Sequence, residues 1–186
     1  MDPDEILLET EAAMEKGFEY MQHEFSAVRT GKASPALVEN IDVEAYGSAM
    51  KLKQLALITT PEPRLLVIQP FDASTTKDIE RAIKESKIGI NPAVDGKIIR
   101  LPIPALSEER RKDLVKGIKQ MAEEARVRVR SSRREGLDSL KKAAKEGTIN
   151  EDNLASYEKE IQKLTDGFVK KIDDAIATKE ADILKV

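Results

Sequence analysis

The apolar residues of this chain change their period twice. Over the first thirty or so positions they recur at helical spacing, with Met14, Phe18, Met21, Phe25 and Val28 separated by four, three, four and three residues. A heptad seam of this kind predicts a helix that packs lengthwise on partner helices. Asp2 is placed to cap it, Pro3 fits its first turn, and Asp4 and Glu5 suit its positive end. Thr30-Gly31 is the expected stop. A second helical stretch opens at Ser107, a capping residue followed by Glu108 and Glu109, and runs to Glu146 with Gly147 as stop signal. Such a helix spans roughly 60 Å. Its early seam is Leu114, Ile118, Met121 and Ala125. Thr148 and Glu151 read as a capping box that opens a third helix. Leu154, Tyr157, Ile161, Leu164, Phe168, Ile172 and Ala175 form the seam of that helix. Three matched seams predict an antiparallel three-helix bundle from residues 1–30 and 105–186. No one of these helices is stable alone at this composition, so the first must return to join the other two.

Between them the period shortens. Ile41–Tyr46, Leu55–Thr60, Leu65–Gln69 and Lys97–Leu101 read as strands, and Thr76–Ser86 as a helix capped by Ser74 or Thr75. Pro35, Pro61, Pro63, Pro70, Pro92, Pro102 and Pro104 all fall in this middle part, and proline in a helix interior costs about 3 kcal/mol. Residues 31–104 are therefore expected to form a small β/α/β domain inserted into the bundle, and the fold class is α+β. The chain crosses between the two parts near Arg29–Lys32 and near Pro102–Leu106. These short crossings, with Thr30 and Gly31 in one and Pro102, Pro104 and Ala105 in the other, predict a hinge. A rigid joint is the alternative.

Composition removes much chemistry. The chain has 186 residues, no cysteine, no tryptophan and one histidine, His23. Disulfides, thiolate catalysis, cysteine-ligated zinc and multi-histidine metal sites are excluded. Aromatics are 4%, too few for base-stacking platforms of the RRM or OB type. No apolar run approaches the roughly 18 residues of a membrane span. The acidic start, Met1 to Glu5, is opposite in charge to a signal or transit peptide, and a cytoplasmic location is expected.

Charge adds the functional hint. Residues 107–146 hold 13 Lys/Arg against 8 Asp/Glu, while the rest holds 18 against 26, a polarity hidden by the net charge of −3. Lys112, Lys119, Arg126 and Arg133 recur every seven residues, so they line one edge of a supercoiled helix. Lys116, Arg130 and Arg134 lie beside them. Five of the nine residues from Arg126 to Arg134 are arginine, whose planar fork grips phosphate in a bidentate way. A long helix edged in this manner suits a nucleic-acid backbone. The plain alternative is a solvated face laced with i,i+4 pairs, for which Glu123 and Glu124 are available. Membrane-surface binding would need insertion residues, and residues 107–136 contain no aromatic.

No catalytic constellation emerges. Gly31-Lys32-Ala33-Ser34 lacks the first glycine and the Ser/Thr after lysine that a phosphate-binding loop needs, since Ser26 and Ala33 stand there. His23 beside Glu19 and Glu24, and the Asp173-Asp174 pair, read as helix surface. No metal, cofactor or small-molecule substrate is expected.

Several segments together resemble the bacterial ribosome recycling factor family. VRTGKASP at residues 28–35 is similar to its first interdomain joint. IRLPIPALSEERRKDL at residues 99–114 is similar to its second joint and the start of its long helix. ARVRVRSSRR at residues 125–134 and KLTD at residues 163–166 are similar to its arginine-rich segment and its carboxyl-terminal region. The resemblance spans essentially the whole chain. Departures are Arg128, where a small apolar residue is common, and Ala105 and Ser48-Ala-Met50, where proline is frequent.

The resemblance implies an L-shaped molecule with a tRNA-like outline that binds the post-termination ribosome through large-subunit 23S rRNA. It implies joint action with elongation factor G and GTP, by which the subunits separate and release mRNA and tRNA. It also implies a monomer without enzymatic activity of its own. On this basis Arg110, Arg126, Arg130 and Arg133 are the expected rRNA contacts, with Arg29 and Lys32 secondary and Lys112 and Lys119 completing the edge. A helical scaffold that binds protein through its seams is the rival, and it predicts binding that salt does not weaken.

Overall fold

The structure, a computed structural model, describes residues 2–185. The chain divides into two compact units, Met1–Arg29 with Glu108–Val186, and Thr30–Ser107. The second unit starts one residue earlier and ends three residues later than the proline pattern predicts. The reason is local. Leu106 folds back on Gly31, so that a Cβ at Gly31 would stand 3.4 Å from the Leu106 Cγ.

The first unit consists of α1 (Pro3–Ser26), α4 (Glu108–Lys145) and α5 (Glu151–Leu184). Asp2 caps α1 by accepting from the Asp4 N–H at 2.9 Å. The helix ends at Ser26, before Thr30-Gly31. The Ala27 and Val28 N–H groups fall back on the carbonyls of Glu24 and Phe25, which tightens the last turn. Its buried residues are Pro3, Ile6, Thr10, Met14, Gly17, Met21 and Phe25, so Phe18 sits at the edge of the seam rather than in it. On α4 the buried set is Val115, Ile118, Ala122, Ala125, Val129, Gly136, Leu140 and Ala143. Leu114 and Met121 flank that line. On α5 it is Ile161, Thr165, Phe168, Ile172 and Ile183, with Leu154, Tyr157, Leu164 and Ala175 partly covered.

Small residues let these helices approach closely. At Gly136 an added Cβ would lie 2.5 Å from Thr10 Oγ1 and 3.0 Å from Ile161 Cδ1, so all three helices converge there. The two buried threonines create no unsatisfied hydroxyl. Thr10 donates to the Ile6 carbonyl at 2.7 Å and Thr165 to the Ile161 carbonyl at 2.8 Å.

The turn between α4 and α5 corrects the expected capping box. Gly147 adopts φ +79°, its N–H reaches the Ala144 carbonyl, and the Thr148 N–H reaches the Ala143 carbonyl at 2.9 Å. That is a Schellman closure of α4, and it commits Thr148 to the end of one helix. The cap of the next is Asn150, whose Oδ1 accepts from the Asn153 N–H at 2.8 Å.

The second unit has more strands than the sequence announces. β1 (Asp42–Ala45) and β2 (Ser48–Lys51) form an antiparallel ribbon, followed by the one-turn helix α2 (Leu52–Leu55). β3 (Ala56–Glu62), β4 (Leu65–Pro70), β5 (Ala93–Asp95) and β6 (Ile98–Pro102) make an antiparallel sheet in the order β3-β4-β6-β5. α3 (Thr76–Glu85) packs against β1 and β6. The N-cap of α3 is Thr75, one of the two residues expected, although its side chain makes no capping hydrogen bond. Asp72 accepts from the Ser74 N–H at 2.9 Å and caps a short 3-10 turn that leads into α3. The core is aliphatic, built from Val38, Val43, Leu52, Leu66, Ile68, Ile79, Ile83, Ile99 and Leu101.

Both crossing segments are fastened to one place inside this unit. The Ala33 N–H donates to the Pro63 carbonyl at 2.7 Å, and the Ile103 N–H donates to the Arg64 carbonyl at 2.8 Å. The turn between β3 and β4 thus holds the entering and leaving strands side by side.

Gly136→Ala is expected to lower stability by about 1–3 kcal/mol, because its methyl meets Thr10 and Ile161. Gly117→Ala, in the same helix with open space around it, should raise stability by up to about 1 kcal/mol. Urea unfolding of the two variants beside the parent checks both signs.

Candidate nucleic-acid interface

The basic residues of α4 divide into two sets once α5 is in place. α5 carries acids at seven-residue intervals of its own, Asp166, Asp173 and Glu180. Packed antiparallel, they face three of the four residues of the basic row, the last through an intervening glutamine. Lys119 Nζ lies 3.9 Å from Glu180, and Arg126 Nη2 lies 2.6 Å from Asp173. Arg133 Nη1 donates to Gln162 at 3.3 Å, and the Gln162 amide donates in turn to Asp166 at 2.9 Å. Three of the four residues in the row that the sequence presents as a free edge therefore flank the α4/α5 seam, and Lys112 stays outside it.

Arg126 is the most committed of these residues. Its Nε and Nη2 donate to Asp173 and its Nη1 to Glu123, and the side chain is 21% exposed. The Asp173 hydrogen bond holds its guanidinium above the ordinary arginine range, against the opposing effect of burial. Asp173 is on the helix surface as expected, and there it anchors Arg126 beside the seam. Its neighbour Asp174 pairs with Lys170 at 3.3 Å. Arg133 is less committed, since its buried Nε finds no partner among the described residues.

The second set faces outward. Arg130 is 52% exposed and holds only a long contact to Glu123, 3.4 Å. Lys116 and Arg134 are exposed, and Lys112 meets Glu108 at 3.6 Å with most of its side chain in water. Arg110 is exposed near the start of the helix. Arg128 turns the other way. It stacks on the Tyr20 ring at 4.5 Å beside Gly17 and reaches Glu124 at 3.9 Å. Glu123 and Glu124 thus pair as the plain alternative foresaw, Glu123 with Arg126 and Arg130 and Glu124 with Arg128, while Lys116 and Arg134 stand exposed. The signal that separates the sets is legible only in two helices at once, because the heptad spacing of Asp166, Asp173 and Glu180 matters through its match to α4.

Among the described residues no group of three or more His, Asp or Glu side chains is placed to hold a metal. No helix there is long and apolar enough to cross a membrane. His23 is exposed on α1. Of the predicted joint residues, Arg29 and Lys32 are exposed, Thr30 is half-buried, and Gly31 takes φ +81°. Pro104 and Ala105 are exposed. Pro102 belongs to β6, opposite Leu65.

The family model described as "Ribosome recycling factor" matches residues 21–184. The chain belongs to the ribosome recycling factor family. The ribosome-recycling factor of Akkermansia muciniphila is 60% identical over the full length of both chains. That of Rubrobacter xylanophilus is 49% identical over 97% of each. A solution structure of a ribosome recycling factor superposes with a TM-score of 0.77 at 40% identity, covering 100% of this chain and 99% of that one. A second structure has a TM-score of 0.64 at 46% identity and covers 99% of this chain and all of that one. It represents the Thermus thermophilus ribosome recycling factor and the Escherichia coli elongation factor G bound to the E. coli post-termination complex. Ribosome recycling, in the course of translation termination, is the function of the family, and the helical bundle with a small β-containing unit is its architecture.

Within this recycling factor fold, Arg126 and Asp173 should couple. A double-mutant cycle of Arg126→Ala and Asp173→Ala, read by urea unfolding, is expected to give about 0.5–1 kcal/mol of interaction, reduced in high salt. The same cycle on Arg134 and Asp173 should give none.

Proposed function

We propose that the chain docks on the large subunit of the post-termination ribosome through rRNA phosphates that meet the outward basic side of α4. With elongation factor G and the GTP hydrolysed by that partner, it separates the subunits and frees mRNA and tRNA for another round. It works as a cytoplasmic monomer and performs no covalent chemistry itself. The observation that carries this reading is the exposed row Lys112, Lys116, Arg130 and Arg134 on one rigid helix of a recycling-factor fold. A guanidinium fork grips phosphate in a bidentate way. Arg130 and Arg134, both exposed, are assigned direct contacts together with Arg133 and Arg110 on the same helix, with Arg29 and Lys32 near the joint. Lys119 and Arg126 act through the seam, where they fix the pitch at which the outward row is presented.

The inserted unit transmits force from the translocase, turning about Thr30 and Gly31 on one side and Pro104 and Ala105 on the other. Pro102 is part of the sheet and moves with it. The stop of each crossing strand at Pro63 and Arg64 confines bending to those few residues.

Co-sedimentation with large ribosomal subunits across a salt series tests the assignment. Arg130→Ala and Arg134→Ala should each weaken binding and lower the slope of log affinity against log salt by about one unit. Affinity that is unchanged in both, or wild-type binding that salt does not weaken, would return the scaffold reading to first place.

A further inference from the structure

A lysine ordinarily keeps its ammonium in water or pairs it with a carboxylate. Among the described residues two lysines are not exposed, Lys51 and Lys179. Lys51 follows the rule, because Asp42 holds its Nζ at 2.7 Å. Lys179 does not. It is half-buried on α5, and among the described residues no hydrogen bond or ion pair holds its amine. Its Nζ still reaches water.

Lys179 stands on the wall of a groove of about 520 Å³ between the end of α1 and the C-terminal part of α5. The α1 wall consists of Phe18, Gln22, Phe25 and Ser26, none of them charged. The charged groups facing Lys179 are all on its own helix, Lys171, Asp174 and Asp182. Asp174 is already paired with Lys170 at 3.3 Å. Asp182 favours the ammonium through its charge, yet burial outweighs it and holds the amine below the ordinary lysine range. Lys171 is fixed apart from these, with its Nζ 4.7 Å from the Phe168 ring centre and 3.9 Å from Glu15. The groove thus combines an amine with an accessible lone pair, an apolar wall, and a second cation.

We propose that Lys179 is a nucleophilic lysine and that this groove is a site of acylation by small acyl phosphates. A lysine withdrawn from water beside another cation is the form in which an amine becomes a nucleophile near neutral pH. The neutral Nζ attacks the carbonyl carbon and a C–N bond forms. The C–O bond to phosphorus's oxygen breaks, inorganic phosphate leaves, and the surplus proton of the amine passes to water. Lys171 offers its charge to the phosphate, and Phe18 and Phe25 offer an apolar wall to the acyl group. The product is favoured in place, since a neutral amide costs less to hold half out of water than an unpaired ammonium. The site lies between α1 and α5, apart from the outward row of α4, so the inference stands independently of the docking function above.

The folded full-length chain, treated with acetyl phosphate at mildly alkaline pH, tests it, with early occupancy at each lysine read by peptide mass spectrometry. Lys179 is expected to be acetylated about threefold faster or more than the exposed Lys159 and Lys170. The lead should vanish in urea, because it belongs to the groove. Gln22→Glu sets a carboxylate on the facing wall and should slow Lys179 while leaving Lys159 unchanged. Asp182→Asn removes the carboxylate that favours the ammonium and should speed it. A rate at Lys179 no higher than at Lys159 overturns the proposal, as does a lead that persists in urea or one that neither substitution moves. If Asp182→Asn does not fold, Gln22→Glu decides the matter, because Gln22 is exposed and the change keeps its shape.

Discussion

Three helices can meet at Gly136 only because nothing projects from its Cα. Thr10 of α1 and Ile161 of α5 occupy the space a side chain would need. Farther along the seams other small residues are buried as well, Gly17 on α1 and Ala122, Ala125 and Ala143 on α4. The bundle so formed buries Met14, Met21, Ile118, Leu140 and Ile161. It also requires α1 to join α4 across an insertion that runs from Thr30 to Ser107. An insertion of that size is tolerable when its two ends emerge side by side, and the bonds of Ala33 and Ile103 to adjacent carbonyls, Pro63 and Arg64, place them so.

The same packing decides which charges are available to a partner. An antiparallel helix pair with basic residues every seven on one member and acids every seven on the other closes as a ladder. Lys119, Arg126 and Arg133 are spent, wholly or partly, on Glu180, Asp173 and the Gln162–Asp166 relay. The ladder is modest in energy, since its members are partly solvated. Its larger effect is geometric. Fixing the rotation of α4 turns Lys116, Arg130 and Arg134 to the outside, where a polyanion can reach them. The residues that fix the rotation of α4 are thus separate from those it turns to solvent, although both sets include arginines from one short segment.

Much of the fold was legible in the chain. Proline placement separates bundle from insertion because its effect on a helix interior is local and large. The heptad seams mark all three long helices, and the runs at Ile41–Tyr46, Leu55–Thr60, Leu65–Gln69 and Lys97–Leu101 each overlap a strand, to within two residues at either end. What escaped was of two kinds. The strands Ser48–Lys51 and Ala93–Asp95 are short and mostly exposed, so no alternation of apolar residues announces them. They form because a neighbouring strand offers unpaired backbone groups. The caps were misassigned where two motifs compete for one residue. Thr148 suits a capping box, yet Gly147 claims it for the end of α4, and Asn150 takes the role instead.

The sequence by itself determined the two-part organisation, the three helices, the concentration of arginine on the second of them, and the family. These rest on periodicity, proline, composition and motif, all readable along one strand of chain. Tertiary structure alone decided which arginines face water. That choice depends on the rotation of α4 about its axis, which is set by contacts with Thr10, Ile161 and Asp173 on other helices. It also brought Tyr46 to Asp72 across 26 residues. A side chain's neighbours in space are fixed by packing, and packing is a property of several elements together, so no single stretch of sequence carries it.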